Sequence, residues 1–314
     1  MKKITVISFL LTAVSACLGQ TSTWTQYNQA PYLQNAGFSG TERYTDLRVA
    51  FKKQWTSFPD APKTFFVGGS HSVEVKSKQL IKITRPVRLG FAGYLSQNTY
   101  NVINDFQFGL SYAVHIPISS AYYLSFGLST SFSRSKSSVD DLIVRDEQDP
   151  FYQGFRRDAG RINYFNMDAG LVLYAQNLYV AYAPQQLIRT RFSSDIPGNE
   201  QSNICHTLLL GYVHKLNKMW EVQPGLLFRH QASLEDYYNF SVKARYNSQL
   251  MAGLCYSQQE YVSMMAGFRL SSYLAINYSY DLSVGKTRTM SQGSHEVLLG
   301  IMPFNTTNKK AYLW

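Results

Sequence analysis

From Asp105 to Ile116 every second residue is apolar or aromatic: Phe106, Phe108, Leu110, Tyr112, Val114 and Ile116, with Asp105, Gln107, Gly109, Ser111, Ala113 and His115 between them. After Pro117 to Ala121 the pattern resumes, with Tyr122, Leu124, Phe126, Leu128, Thr130 and Phe132 on one face and Tyr123, Ser125, Gly127, Ser129, Ser131 and Ser133 on the other. Side chains of a strand alternate faces, so this spacing predicts a hairpin with one face of bulky rings and aliphatics and one of small polar groups. Each arm is long. Soluble strands usually run to about 5 or 6 residues, whereas a tilted strand crossing a bilayer needs about 9 to 11. A soluble sandwich packs its bulky face against a second sheet. Here rings on one side and Ser and Gly on the other predict a membrane β-barrel, with the rings toward lipid.

Similar segments follow in series over 47–56, 63–73, 87–97, 104–116, 121–133, 163–174, 177–184, 205–214, 219–230, 238–247, 249–257, 260–270, 273–283 and 294–304. In the segment at 273–283, Ile276, Tyr278, Tyr280 and Leu282 point outward against Asn277, Ser279 and Asp281 inward. The expected fold is all-β, a single transmembrane antiparallel β-barrel of about 14 strands, an even number within the outer-membrane range. Long connections at 134–162 and 185–204 alternate with short ones at 175–176 and 215–218. Outer-membrane barrels have short periplasmic turns and longer outside loops, so both termini are expected on the periplasmic side. The connection at 74–86 is long for that side.

The apolar stretch Ile4–Val14 behind Lys2 and Lys3 reads as a secretory signal peptide over 1–19, too short to be a transmembrane helix. Cleavage near Gly19 is the expected processing. The alternative is lipidation at Cys17, because Val14-Ser15-Ala16-Cys17 resembles a bacterial lipobox. Residues 20–46 show no sustained period and are expected to lead into the barrel or plug its lumen; 47–304 form the barrel and 305–314 a C-terminal tail.

Composition changes this picture little. The 314 residues are 45% hydrophobic, with a mean hydropathy of −0.21 that separates neither class, while 23 Tyr and 19 Phe suit the aromatic girdles of a barrel. The net charge of +10 is spread over Lys52-Lys53, Lys76 to Lys82, Arg156-Arg157, Arg189, Arg191 and Lys309-Lys310. No aromatic-interleaved motif joins these groups, so they read as solvated rims and contacts to anionic lipid head groups, with no nucleic-acid partner. Cys205 and Cys255 fall three strands apart and read as unpaired.

No phosphate loop, zinc spacing or nucleophile elbow is present, so no cofactor, metal or enzymatic activity is expected. His295 and Glu296 look like an acid and base pair, but neighbours on a strand face opposite ways. The acidic stretch from Asp140 to Asp149 lacks the ligand spacing of a calcium loop.

Three stretches carry a resemblance. Gln26-Tyr27-Asn28 to Ala36-Gly37 opens it, although Ala30-Pro31 and Gln34-Asn35 depart from the usual Asn-Pro pairs. Gln54-Trp55, Phe58 and Ala61-Pro62-Lys63-Thr64 follow, and then Tyr280-Asp281 with Gly293-Ser294-His295-Glu296. In this order they resemble the PorP/SprF family of Bacteroidetes outer-membrane proteins, associated with type IX secretion and gliding. The resemblance implies a non-enzymatic accessory barrel that assists secretion or surface attachment of cargo bearing type B C-terminal sorting domains. Implied partners are that cargo and periplasmic secretion components, including a peptidoglycan-binding lipoprotein. The alternative function is a passive or FadL-like channel for small or hydrophobic solutes. On the physical side, Pro62 is expected to stiffen a turn at the rim and Trp55 to sit in the interface belt.

The long connection at 134–162 carries Phe151, Tyr152, Phe155, Arg156 and Arg157. Rings and Arg are enriched at interface cores, so this is the candidate cargo-docking loop. The competing reading folds these rings back over the barrel mouth.

Overall fold

The computed structural model describes residues 24–57, 60–75, 85–138, 148, 153, 156, 160–192, 203–232, 234–258, 261–284 and 293–303. Phe58, the signal segment with Cys17, most of the acidic stretch, residues 304–314, and Phe151, Tyr152, Phe155 and Arg157 of the candidate loop lie outside the described residues.

Fourteen antiparallel staves close into one barrel. They are β1 (Asp46–Lys53), β2 (Lys63–Val75), β3 (Val87–Tyr100), β4 (Ile103–Pro117), β5 (Tyr123–Ser137), β6 (Arg161–Tyr174), β7 (Leu178–Gln185, resuming at Ile188–Arg191), β8 (Cys205–Tyr212, resuming at His214–Lys215), β9 (Trp220–Gln231), β10 (Tyr237–Tyr246), β11 (Leu250–Ser257), β12 (Tyr261–Arg269), β13 (Leu274–Ser283) and β14 (Ser294–Ile301). Each stave pairs with its sequence neighbours, and β1 pairs with β14 to close the ring; the continuation of β7 at Ile188–Arg191 pairs with β6 alone among the described residues. The break in β7 is a bulge at Gln186, whose positive φ of 58° turns the chain and whose N–H donates to Asp168 Oδ1 at 2.6 Å.

The alternation read at 105–133 has the predicted sense. Phe106, Phe108, Leu110, Tyr112, Phe126 and Leu128 are exposed on the outer wall, while His115 and Ser125 are fully buried on the inner wall. β13 behaves alike, with Ile276, Tyr278 and Leu282 exposed and Asn277, Ser279 and Asp281 buried. No helix among the described residues is long and apolar enough to cross a membrane, and the chain crosses with strands. The first stave is shorter than its periodicity suggests. Trp55 takes a positive φ of 47°, so the extended run stops at Lys53. Cys205 on β8 and Cys255 on β11 are both buried and free, in keeping with their separation.

Candidate functional site

The segment that feeds β1 folds back inside the barrel and packs against its inner wall. From Thr25 to Glu42 every residue but Leu33, which is half-buried, is buried. Pro31 and the short polar residues around it do not sustain an α-helix. The segment instead makes three 3-10 turns, Tyr27–Gln29, Pro31–Leu33 and Ala36–Phe38. Asn35 caps the last turn by accepting from Gly37 N–H, and its amide donates to the carbonyls of Leu171 and Tyr182 on the wall.

The inner wall is cut to fit this plug. A Cβ on Gly90 would collide with the carbonyl of Ser39, and one on Gly127 with the backbone of Ala36 and Gly37. The small polar face noticed along β4 and β5 is therefore a seat. Ser125 donates to Gly37 O at 2.7 Å, Ser39 and Ser111 share a hydroxyl contact at 2.7 Å, and Ser70 accepts from Gly40 N–H at 2.7 Å. Below them Arg88 donates to Thr41 O at 3.3 Å and to Tyr174 Oη at 2.6 Å, lies over the Tyr123 ring, and leaves Tyr174 to bond His115, which also contacts Ser39 O. On the far side Arg48 donates to Gln29 and Arg229 to Gln34. Phe38 meets Tyr179 edge to face, and Trp24 meets Phe66. Buried polar groups are costly unless bonded; these contacts satisfy many of them, while the Gln26 amide of the plug and Lys243 Nζ and the Asn277 amide of the inner wall are buried with no hydrogen-bond partner among the described residues.

The start of the plug is held by charge. Lys52 on β1 faces Glu296 on β14 across the closing seam, in direct register. Its ammonium lies 3.1 Å from Asp281 and 3.7 Å from Glu296, with side-chain exposures of 1% for Lys52, 3% for Asp281 and 0% for Glu296. The Glu296 carboxylate accepts the backbone N–H groups of Thr25 and Gln26 at 3.0 and 3.1 Å, one on each oxygen. Thr25 Oγ1 donates to Asp281 and accepts from Lys52. A buried ion pair tolerates dehydration only when its remaining lone pairs are bonded, and here the plug backbone and Ser263 supply those bonds.

These contacts locate the sequence-predicted residues. Asp281 and Glu296 come together in the lumen. Tyr280 and His295 point outward, their ring centroids 5.0 Å apart, and His295 Nδ1 lies 2.7 Å from Tyr278 Oη, so His295 and Glu296 do not form an acid and base pair. Gln54, Trp55, Ala61, Pro62, Lys63 and Thr64 lie at the end of the barrel where β1 runs into β2. There Gln54 N–H donates to Pro62 O, Thr56 N–H to Gly293 O and Trp55 N–H to Ser294 Oγ. The second and third motif stretches thus meet at one rim of the seam. Arg156 is exposed.

Sequence reasoning placed Lys52 with Lys53 on a solvated rim, and for Lys52 this is corrected: it is sealed inside. The period of two held the signal, since Phe51 and Lys53 are outward positions and Lys52 lies between them. Thr25, whose carboxylate partners Asp281 and Glu296 lie more than 250 residues away in sequence, gave no local signal.

Comparison with known proteins follows from this geometry. The chain matches the family model described as type IX secretion system membrane protein PorP/SprF over residues 16–301. Its fold is similar to that of the TodX monoaromatic hydrocarbon channel in a deltaS2 mutant form, with a TM-score of 0.52, 13% identity and coverage of 87% of this chain and 93% of that one. It is similar to the toluene transporter TbuX of Ralstonia pickettii, with a TM-score of 0.52, 9% identity and coverage of 87% and 92%. At such identities the likeness is one of fold. None of the curated proteins matches the chain. A closed outer-membrane barrel whose family match runs from the N-terminal segment to the end of its last strand settles the assignment: the chain belongs to the PorP/SprF family of type IX secretion system membrane proteins.

Proposed function

We propose that this protein is a non-enzymatic, non-conducting accessory barrel of the type IX apparatus, which assists the secretion or surface attachment of cargo with type B C-terminal sorting domains, as in adhesin or gliding systems. The observation that carries the reading is the plug. A segment bonded to β1 through β7 and to β9, β13 and β14 stands in the path of a solute through the lumen, which puts the working surface on the outside of the barrel and its rims. Cargo, and periplasmic partners including a peptidoglycan-binding lipoprotein, would then meet a rigid scaffold exported by the N-terminal signal, cleaved near Gly19 or lipidated at Cys17. The loop carrying Phe151, Tyr152, Phe155, Arg156 and Arg157 is the proposed cargo contact.

The second reading is a channel for small or hydrophobic solutes. The fold likeness to a monoaromatic hydrocarbon channel and a toluene transporter favours it. One experiment separates the two. Deletion of the gene is expected to remove a reporter fused to a type B sorting domain from the cell surface, while liposomes containing the purified barrel take up neither toluene nor small sugars above protein-free controls. Normal surface display in the deletion strain, together with solute uptake by the liposomes, would transfer the assignment to the channel.

A further inference from the structure

Among the described residues, the Lys and Arg at outward strand positions all lie at one end of the barrel, while the exposed cations of the other end, Arg43, Lys215 and Lys218, lie off the outward strand positions. Arg134 pairs in register with outward Phe106, and Lys136 pairs with Asn104 and directly with Arg161. All three cations are exposed and outward, stacked beyond Phe132 and Phe165 at the end that leads into the long 138–160 connection. Arg134 lies 5.8 Å over the Phe132 ring and donates to Asn163. One end of the same register row repeats the arrangement: Lys63 lies opposite Lys53 and next to Thr99, beyond the ring pair Phe51 and Phe65. At the opposite end, outward strand positions such as Leu47, Ile116, Leu124, Tyr212, Trp220 and Tyr246 are apolar or aromatic, and among the described residues no outward strand position there is Lys or Arg.

Height fixes what this charge meets. On β5 the outward run from Leu124 to Phe132, apolar but for Thr130, spans 8 residue steps, which at ~3.4 Å per step and a tilt of about 40° is roughly 21 Å of depth, close to the apolar band of ~25 Å. Arg134, Lys136 and Arg161 therefore begin where hydrocarbon ends, at head-group level. Like charges directly opposite on paired strands repel, and an anion shared between them removes the repulsion. Clustered Arg and Lys with bound aromatic faces below suit a phosphate attached to acyl chains, the chains lying on the ring-rich wall.

We infer that the outward Arg134, Lys136 and Arg161 cluster is a binding site for the phosphate-bearing head group of an outer-leaflet glycolipid, with Lys53 and Lys63 forming a second such contact. The site goes beyond the secretion role and does not depend on it. A lipid seated there also orients the barrel, with the long connections outside.

The test uses the purified full-length barrel in zwitterionic detergent, with native mass spectrometry as the readout and three probes: bisphosphorylated lipid A, its dephosphorylated counterpart and inorganic phosphate. Bisphosphorylated lipid A is expected to be retained and the other two not. The triple variant Arg134→Ser, Lys136→Ser, Arg161→Ser is expected to bind it on the order of a hundredfold more weakly, while keeping the heat-modifiable gel mobility of a folded barrel. If that variant does not fold, raising salt on the unaltered protein serves instead and is expected to weaken lipid A binding but not detergent binding. Equal retention of the dephosphorylated lipid, undiminished binding by the folded variant, binding insensitive to salt, or equal occupancy by inorganic phosphate would each overturn the assignment, the last by reducing the site to a free-anion site.

Discussion

Replacing Lys52 with alanine is expected to destabilise the folded barrel by about 3–5 kcal/mol, the usual cost of leaving buried charge without its partner. Asp281 and Glu296 would remain in the lumen, and Glu296 would keep only the Thr25 and Gln26 N–H bonds to offset its dehydration. Because those bonds begin the plug, the variant should also expose the N-terminal segment to protease in intact outer membranes. The readouts are the temperature at which the heat-modifiable band is lost and the appearance of an N-terminally trimmed product. The substitution Lys218→Ala is the control. This lysine is exposed in the turn between β8 and β9, so its effect should stay within about 0.5 kcal/mol. A Lys52→Met, Asp281→Asn, Glu296→Gln variant removes the charges together and should recover most of the loss, since replacing a whole buried ionic cluster is often neutral. Equal behaviour of Lys52→Ala and Lys218→Ala would show that the seam network does not hold the plug.

Gly90→Val should have an effect as large by a different route. The new Cβ meets the backbone carbonyl of Ser39 and the His115 ring nitrogen. A carbonyl cannot rotate aside as a side chain can. Overpacking commonly costs about 1–3 kcal/mol and sometimes more, and here relief requires the 36–41 stretch to leave its seat. The expected outcome is a folded barrel that conducts ions in planar bilayers where the unaltered protein does not. Gly93→Ala, on the same stave but facing Leu110 on the outer wall, should leave conductance unchanged. A Gly90→Val barrel as closed as the unaltered protein, with unchanged stability, would mean that the plug does not press on this wall.

The two sides of the barrel were not equally readable from sequence. The wall was legible because a strand buried on one face and immersed in lipid on the other writes its orientation every second residue, as Phe106 to Ile116 and Ile276 to Leu282 do. Stave number and order followed from the same signal. The plug left no such trace. Short 3-10 turns have no long period, and residues 25–42 are buried except for half-buried Leu33, so polar Gln26, Asn28, Gln29 and Asn35 read as loop although each is interior. The Ser and Gly face of β4 and β5 was visible, but its purpose was not, since the partner of Gly127 is a backbone some 90 residues earlier. Lys52 shows a further limit: adjacency to Lys53 suggested a rim, and only register across the seam joins it to Glu296. The family resemblance brought Asp281 and Glu296 forward without a physical role. The structure supplies one, as anchors of the plug.

The most direct measurement asks whether the plug stays in place while the protein works. Ser39 and Ser111 face each other with their hydroxyl oxygens 2.7 Å apart, so Ser39→Cys with Ser111→Cys, in a background where Cys205 and Cys255 are serine, puts two thiols within bonding reach. The account predicts that the disulfide forms in cells under mild oxidation, seen as altered gel mobility reversed by reductant, and that surface display of the type B reporter continues at the unaltered level with the plug locked. Failure to form the bond in a folded barrel, or loss of display on oxidation with recovery on reduction, would contradict a fixed plug and a function carried by the outer surface.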